Sequence, residues 1–92
     1  MDQELMRELR NIFIDEMSKR IEQLAHCVSV KDVSGAQQIA HKIHGTGGTY
    51  GFNEVSELGK SVETASKIGE WSQIQSGLSG LQTWLQKTNN TE

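Results

Sequence analysis

The 92-residue sequence has no proline and a single cysteine, Cys27. One thiol cannot close an internal disulfide or build a cysteine metal cluster. Long apolar runs are missing as well: none approaches the ~18 residues of a membrane span, and no charged start followed by an apolar core suggests a signal peptide. Nowhere do β-branched residues alternate with polar ones over a strand's length. With proline absent, this points to an all-α chain. Nine Lys and Arg stand against twelve Asp and Glu, a net charge of −3. That balance argues against nonspecific binding to phosphate backbones, so no nucleic acid is expected as a partner. A chain this short holds one hydrophobic core and has no room for a large enclosed substrate cavity. The expectation is a small, soluble, cytoplasmic domain that does not engage a membrane.

Helical periodicity is what the sequence does contain. Leu5, Leu9, Ile12, Phe13, Met17, Ile21, Leu24 and Val28 recur mostly at gaps of three or four and mark one stripe on a long first helix. Ser29 to Asp32 reads as a turn, with Asp32 capping a second helix that carries Ala36, Ile39, Ala40, Ile43 and Tyr50 on one face. A third helix begins near Asn53 as its cap and buries Val55, Leu58, Val62 and Ala65. It stops at Gly69, with Lys67 in the last turn suiting the helix dipole. A fourth runs from about Glu70 and turns Trp71, Ile74, Leu78, Leu81 and Leu85 inward. Four amphipathic helices joined by short turns predict an antiparallel up-down four-helix bundle over residues 1–88, followed by a frayed polar tail at 89–92.

The unusual stretch runs from Ala40 to Gly51. On a helical wheel, Ala36, Ile39, Ala40, Ile43 and Gly47 cluster toward the core, and His41 points about 145° away from that cluster, toward solvent. Gly45 and Gly48 follow His41 at i+4 and i+7 on the same outward strip. A glycine inside a helix costs about 1 kcal/mol relative to alanine, and several occur here within two turns. Bare positions beside an exposed imidazole leave it open to close approach by another protein. The competing reading ends the helix at Gly45 and makes Gly45 to Gly51 a flexible loop.

Nucleotide motifs fail in this segment. Gly45 to Tyr50 resembles G-x-G-x-x-G, but Tyr50 occupies the last glycine position and no strand precedes it. Gly59-Lys60-Ser61 matches the end of a P-loop, yet the earlier glycine position holds Glu54. His41 and His44 at i, i+3, with Glu63 as a third ligand, give a metal-binding alternative. An exposed histidine can also act as a nucleophile, since its neutral nitrogen is available near neutral pH. Such a nitrogen accepts a phosphoryl group and gives it up again. Lys42, Lys60 and a protonated His44 are the candidate cations to offset the added negative charge.

The string from His41 through His44-Gly45-Thr46-Gly47-Gly48 to Gly51 resembles the H-x-[LI]-K-G-[SA]-[AG]-x-x-x-G signature of histidine-containing phosphotransfer (HPt) domains. Leu58 to Glu63 is similar to that family's next helix, and Phe13-Ile14-Asp15-Glu16 to its usual entry. The resemblance covers nearly the whole chain. It implies a monomeric phosphorelay carrier of two-component signalling, without kinase activity of its own, whose partners are response-regulator receiver domains and a sensor histidine kinase. It implies His41 as phosphoacceptor, Glu63 reaching across from the facing helix to orient the imidazole, and Gly45 giving a receiver room to dock, with Gly48 on the same strip. No cofactor is expected on this chain, because Mg²⁺ is supplied by the receiver. Phe13, Ile14 or Phe52 are expected to contribute an exposed docking patch. The rival readings are a helical protein-interaction module and a metal-binding bundle that uses His41 and His44. One departure from the signature stands out: the family usually has Lys three residues after its histidine, where this chain has His44. If His44 serves as a cation, His44→Lys should retain or improve phosphoryl acceptance, measured as labelling of the purified variant beside the wild type.

Overall fold

The computed structural model describes residues 2–90, which form four helices and no strand. Helix α1 spans Gln3–Ser29, α2 Val33–Thr49, α3 Asn53–Lys67 and α4 Trp71–Asn90. The first two helices start on side-chain caps. The Asp2 carboxylate accepts from Glu4 N at 3.1 Å, and Asp32 Oδ1 accepts from Gly35 N at 2.9 Å. At α3 the structure departs from expectation: Asn53 is the first helical residue, and Phe52 takes the cap position without a side-chain bond. The phenyl ring of Phe52 is instead stacked on Phe13, 4.4 Å between centroids, and this stacking fixes the turn in place of a polar cap.

All three connections are three-residue turns of one type. In each, the middle residue has positive φ: Lys31 at 60°, Gly51 at 80° and Gly69 at 69°. Two backbone bonds then close every helix end. Asp32 N donates to Cys27 O and Lys31 N to Val28 O; Phe52 N donates to Gly47 O and Gly51 N to Gly48 O; Glu70 N donates to Ala65 O and Gly69 N to Ser66 O. This is the Schellman arrangement, which satisfies the last carbonyls of one helix while launching the next. Gly51 and Gly69 adopt the left-handed conformation freely. Lys31 does so at a cost of about 1–2 kcal/mol, and its ammonium lies 4.7 Å from the Trp71 ring centroid.

Short turns force antiparallel neighbours, so the helices form a closed ring in which α1 packs on α2, α2 on α3, α3 on α4, and α4 back on α1. The core is sealed at one end by aromatic rings. Phe13, fully buried on α1, lies 4.4 Å from Phe52, 5.1 Å from Tyr50 and 5.9 Å from Trp84. On α4 Trp84, which the periodicity does not single out, is buried, because its position meets both Phe13 and Phe52. Leu85 beside it and Trp71 at the start of α4, both expected on the inner side, are half-buried.

The apolar stripe of α1 is not buried along its full length. Leu5, Leu9 and Ile12 are exposed, as is Met6, whereas Phe13, Met17, Ile21 and Leu24 are core. The reason is helix length: 27 residues of α1 span about 40 Å, but 17 residues of α2 span only about 25 Å. The first turns of α1 therefore project past the α2–α3 turn. Phe13 is also excluded from any docking patch, and Ile14 and Phe52 are only half-exposed. At the other end, α4 continues through Asn90, two residues past the expected limit of the domain, and the remainder of the expected polar tail lies outside the described residues. Cys27 is buried, and burial together with the nearby Asp32 charge pushes its thiol pKa up, so it stays protonated and unreactive. Among the described residues no helix is long and apolar enough to cross a membrane.

Because Phe13 joins α1, the α2–α3 turn and α4, Phe13→Ala is expected to destabilise the bundle by about 3–5 kcal/mol in urea denaturation.

Candidate functional site

Helix α2 continues unbroken through the glycines to Thr49, which decides against the loop reading. His41 lies midway along its outer face with its side chain 71% exposed. From α3, the largely buried Glu63 reaches across, and its Oε2 lies 2.9 Å from His41 Nδ1. An ionised carboxylate only accepts, so Nδ1 must carry the hydrogen. The neutral ring then keeps its lone pair on Nε2, the nitrogen that faces solvent.

Two shallow grooves meet at His41. One is lined by Glu16 and Arg20 of α1 and by Lys42, Gly45, Thr46 and Thr49 of α2; Tyr50 closes its end. The other is lined by Gln37, Gln38, Lys42 and Glu63. His41 belongs to both and stands as a ridge between them. Lys42 is exposed and borders both grooves, next to the imidazole. Lys60 is exposed on α3, one turn from Glu63, and lines neither groove. Arg20 was not among the residues anticipated here. Its Nε donates to Glu16 Oε2 at 3.0 Å, and the pair forms the α1 wall of the first groove. The i, i+4 spacing of Glu16 and Arg20 announces their pairing, but only the packing of α1 on α2 places them beside His41.

The glycines divide into two kinds. A β-carbon at Gly47 would lie 2.8 Å from Ser56 N, and one at Gly59 would lie 2.7 Å from His44 N. These two glycines let α2 and α3 touch backbone to backbone. A β-carbon at Gly45 would meet nothing within 4 Å, and one at Gly48 only Ser56 Oγ at 3.6 Å. The bare strip beside His41 therefore serves no packing need inside the chain at Gly45.

His44, the residue at the position of the signature lysine, packs toward α3. Its ring is half-buried against α3, where Nδ1 lies 2.8 Å from the Ser56 carbonyl oxygen and 2.9 Å from Ser56 Oγ. Nδ1 of His44 is thereby committed to Ser56. The metal-binding alternative also lacks a ligand set: among the described residues no three His, Cys, Asp or Glu side chains converge on one point.

A family model described as the Hpt domain matches residues 8–91, nearly the whole chain. The comparisons with curated proteins and with solved structures gave no match to this chain.

The two kinds of glycine predict opposite effects of one methyl group. Gly45→Ala should stabilise the protein by about 1 kcal/mol, the ordinary helix-interior gain. Gly47→Ala should destabilise it, because the new β-carbon meets α3 backbone that cannot move aside. Thermal and urea denaturation of the two variants would separate them.

Proposed function

The chain belongs to the Hpt family, a family of phosphotransfer carriers in two-component signalling, and on that premise we propose that His41 is its phosphoacceptor. The observation that supports this most is the exposed imidazole held through Nδ1 by Glu63. A ring so held presents Nε2 outward in the protonation state that a nucleophile needs.

In the proposed reaction, Nε2 attacks the phosphorus of an aspartyl phosphate on a response-regulator receiver domain. The P–N bond forms, the P–O bond to the receiver breaks, and the receiver's carboxylate leaves with the bonding electrons. The ring keeps its Nδ1 hydrogen and acquires positive charge as the bond forms. Glu63, 2.9 Å away, is placed to stabilise that charge, and it acts more strongly as the reaction proceeds. The same interaction keeps the product an N-phosphoimidazolium, whose P–N bond is labile to the next carboxylate. Transfer in either direction is then mainly alignment of donor, phosphorus and acceptor.

Lys42 is the cation best placed to offset the phosphoryl charge, bordering both grooves at His41; Lys60 acts at longer range. Gly45 leaves the receiver's loops room to reach the ring, and Gly48 extends the bare strip. Mg²⁺ belongs to the receiver in this scheme, a sensor histidine kinase is the alternative donor, and this chain carries no kinase activity. A monomer acting in the cytoplasm completes the proposal.

Incubation of the purified chain with a panel of phosphorylated receivers should label the wild type and leave His41→Gln unlabelled, with helicity unchanged by circular dichroism. Equal labelling of both proteins, or of neither with every receiver tried, would leave a plain helical interaction module as the better description. Glu63→Ala should slow acceptance on the order of ten- to a hundredfold, the scale of losing a charge-assisted hydrogen bond.

A further inference from the structure

Helices α2 and α3 meet most tightly at two reciprocal points. The space that a β-carbon of Gly59 would fill is taken by the backbone of His44, and the space at Gly47 by the backbone of Ser56. His44 and Ser56 are thus each the residue pressed against a glycine of the opposite helix. They are also bonded to each other. The Ser56 carbonyl can only accept, so His44 Nδ1 carries a hydrogen and donates to it at 2.8 Å. The Ser56 hydroxyl, 2.9 Å from the same nitrogen, donates its own hydrogen back to the His44 carbonyl at 3.0 Å. Ring and hydroxyl close a latch across the interface in which each donor has a matching acceptor.

We propose that this latch makes His44 a positioning residue for His41: it holds α3 in the register at which Glu63 meets Nδ1. The inference rests on the phosphocarrier reading and deepens it. His41 and His44 are one turn apart on α2, and Glu63 and Ser56 are two turns apart on α3. The two cross-helix contacts therefore bind the same pair of helices at separate levels. With backbones in contact at Gly47 and Gly59, the helices have no slack to absorb a sliding error. A shift of α3 along α2 would pass directly to the Glu63 carboxylate, and hydrogen bonds weaken steeply as their geometry departs from ideal. A lysine at position 44 would carry its donor on a longer, flexible stem, which does not hold the Ser56 carbonyl at one fixed reach. The histidine at this position accordingly supplies registration in place of charge.

Three substitutions separate registration from charge. Asparagine places an amide N–H where His44 has Nδ1, leucine fills the volume without a donor, and lysine brings charge without the short donor. The readouts are the ¹⁵N chemical shifts of the His41 ring, which report the share of its Nδ1–H tautomer, and the rate of phosphoryl acceptance from acetyl phosphate, which needs no docking protein. His44→Leu and His44→Lys are expected to lower the Nδ1–H share at His41 and slow acceptance about tenfold, on the scale of a sub-ångström misplacement of an orienting group. His44→Asn is expected to restore both. A His44→Lys variant that accepts phosphate as fast as the wild type, or a His41 tautomer that is the same in the leucine variant as in the wild type, would overturn the assignment. If His41 accepts no phosphoryl group from any donor, the carrier reading fails, while the tautomer response still tests the latch.

Discussion

The structure depends on the close approach of α2 and α3. A bond of 2.9 Å between an exposed imidazole and a carboxylate from another helix requires those helices to be fixed to within a few tenths of an ångström. Ordinary side-chain packing separates helices by 8–10 Å and allows some sliding. Gly47 and Gly59 remove the side chains that would hold the backbones apart, and the contact becomes rigid at those points. The His41 ring can then remain in water while its orientation is set from inside the bundle. Exposure and precise alignment are usually in conflict, because an exposed side chain has few neighbours to hold it. Here a single buried-side partner resolves the conflict.

Much of the fold was legible in local sequence. Helix ends fell within about two residues of their expected places because Asp32 and Gly69 act through their immediate neighbours. The misplacements share one physical origin, which is that relative helix length and facing are tertiary properties. The periodicity of Leu5, Leu9 and Ile12 is as regular as that of the core residues, and nothing in it shows that α2 turns back before reaching them. Trp84 and Leu85 are adjacent and both large and hydrophobic. Only the position of Phe13 and Phe52 selects the first as the buried residue. Asn53 is the better capping residue by type, and aromatic stacking overrides it.

The site was legible to a similar depth. His41 on the outer face followed from the wheel, and the pairing with Glu63 followed from the resemblance, since spacing within one helix says nothing about a partner on the next. The glycine cluster signalled that something unusual was required, but composition could not separate Gly47, needed for packing, from Gly45, bare toward solvent. The reach of His44 to Ser56 and the Arg20 wall of the groove were invisible for the same reason: both lie between helices. Nothing in the sequence around His44 announces that its ring meets Ser56 on the next helix.

The closed ring of helices also bears on how the chain reaches this state. Three of its four interfaces join helices consecutive in sequence through three-residue turns, each of which needs little chain closure to form. Only the seam between α1 and α4 brings distant parts of the chain together, and Phe13 against Trp84 lies within it. A topology dominated by such local pairings has a low contact order and folds on microsecond to millisecond timescales. That aromatic seam is the helix pairing whose formation must close most of the chain's length.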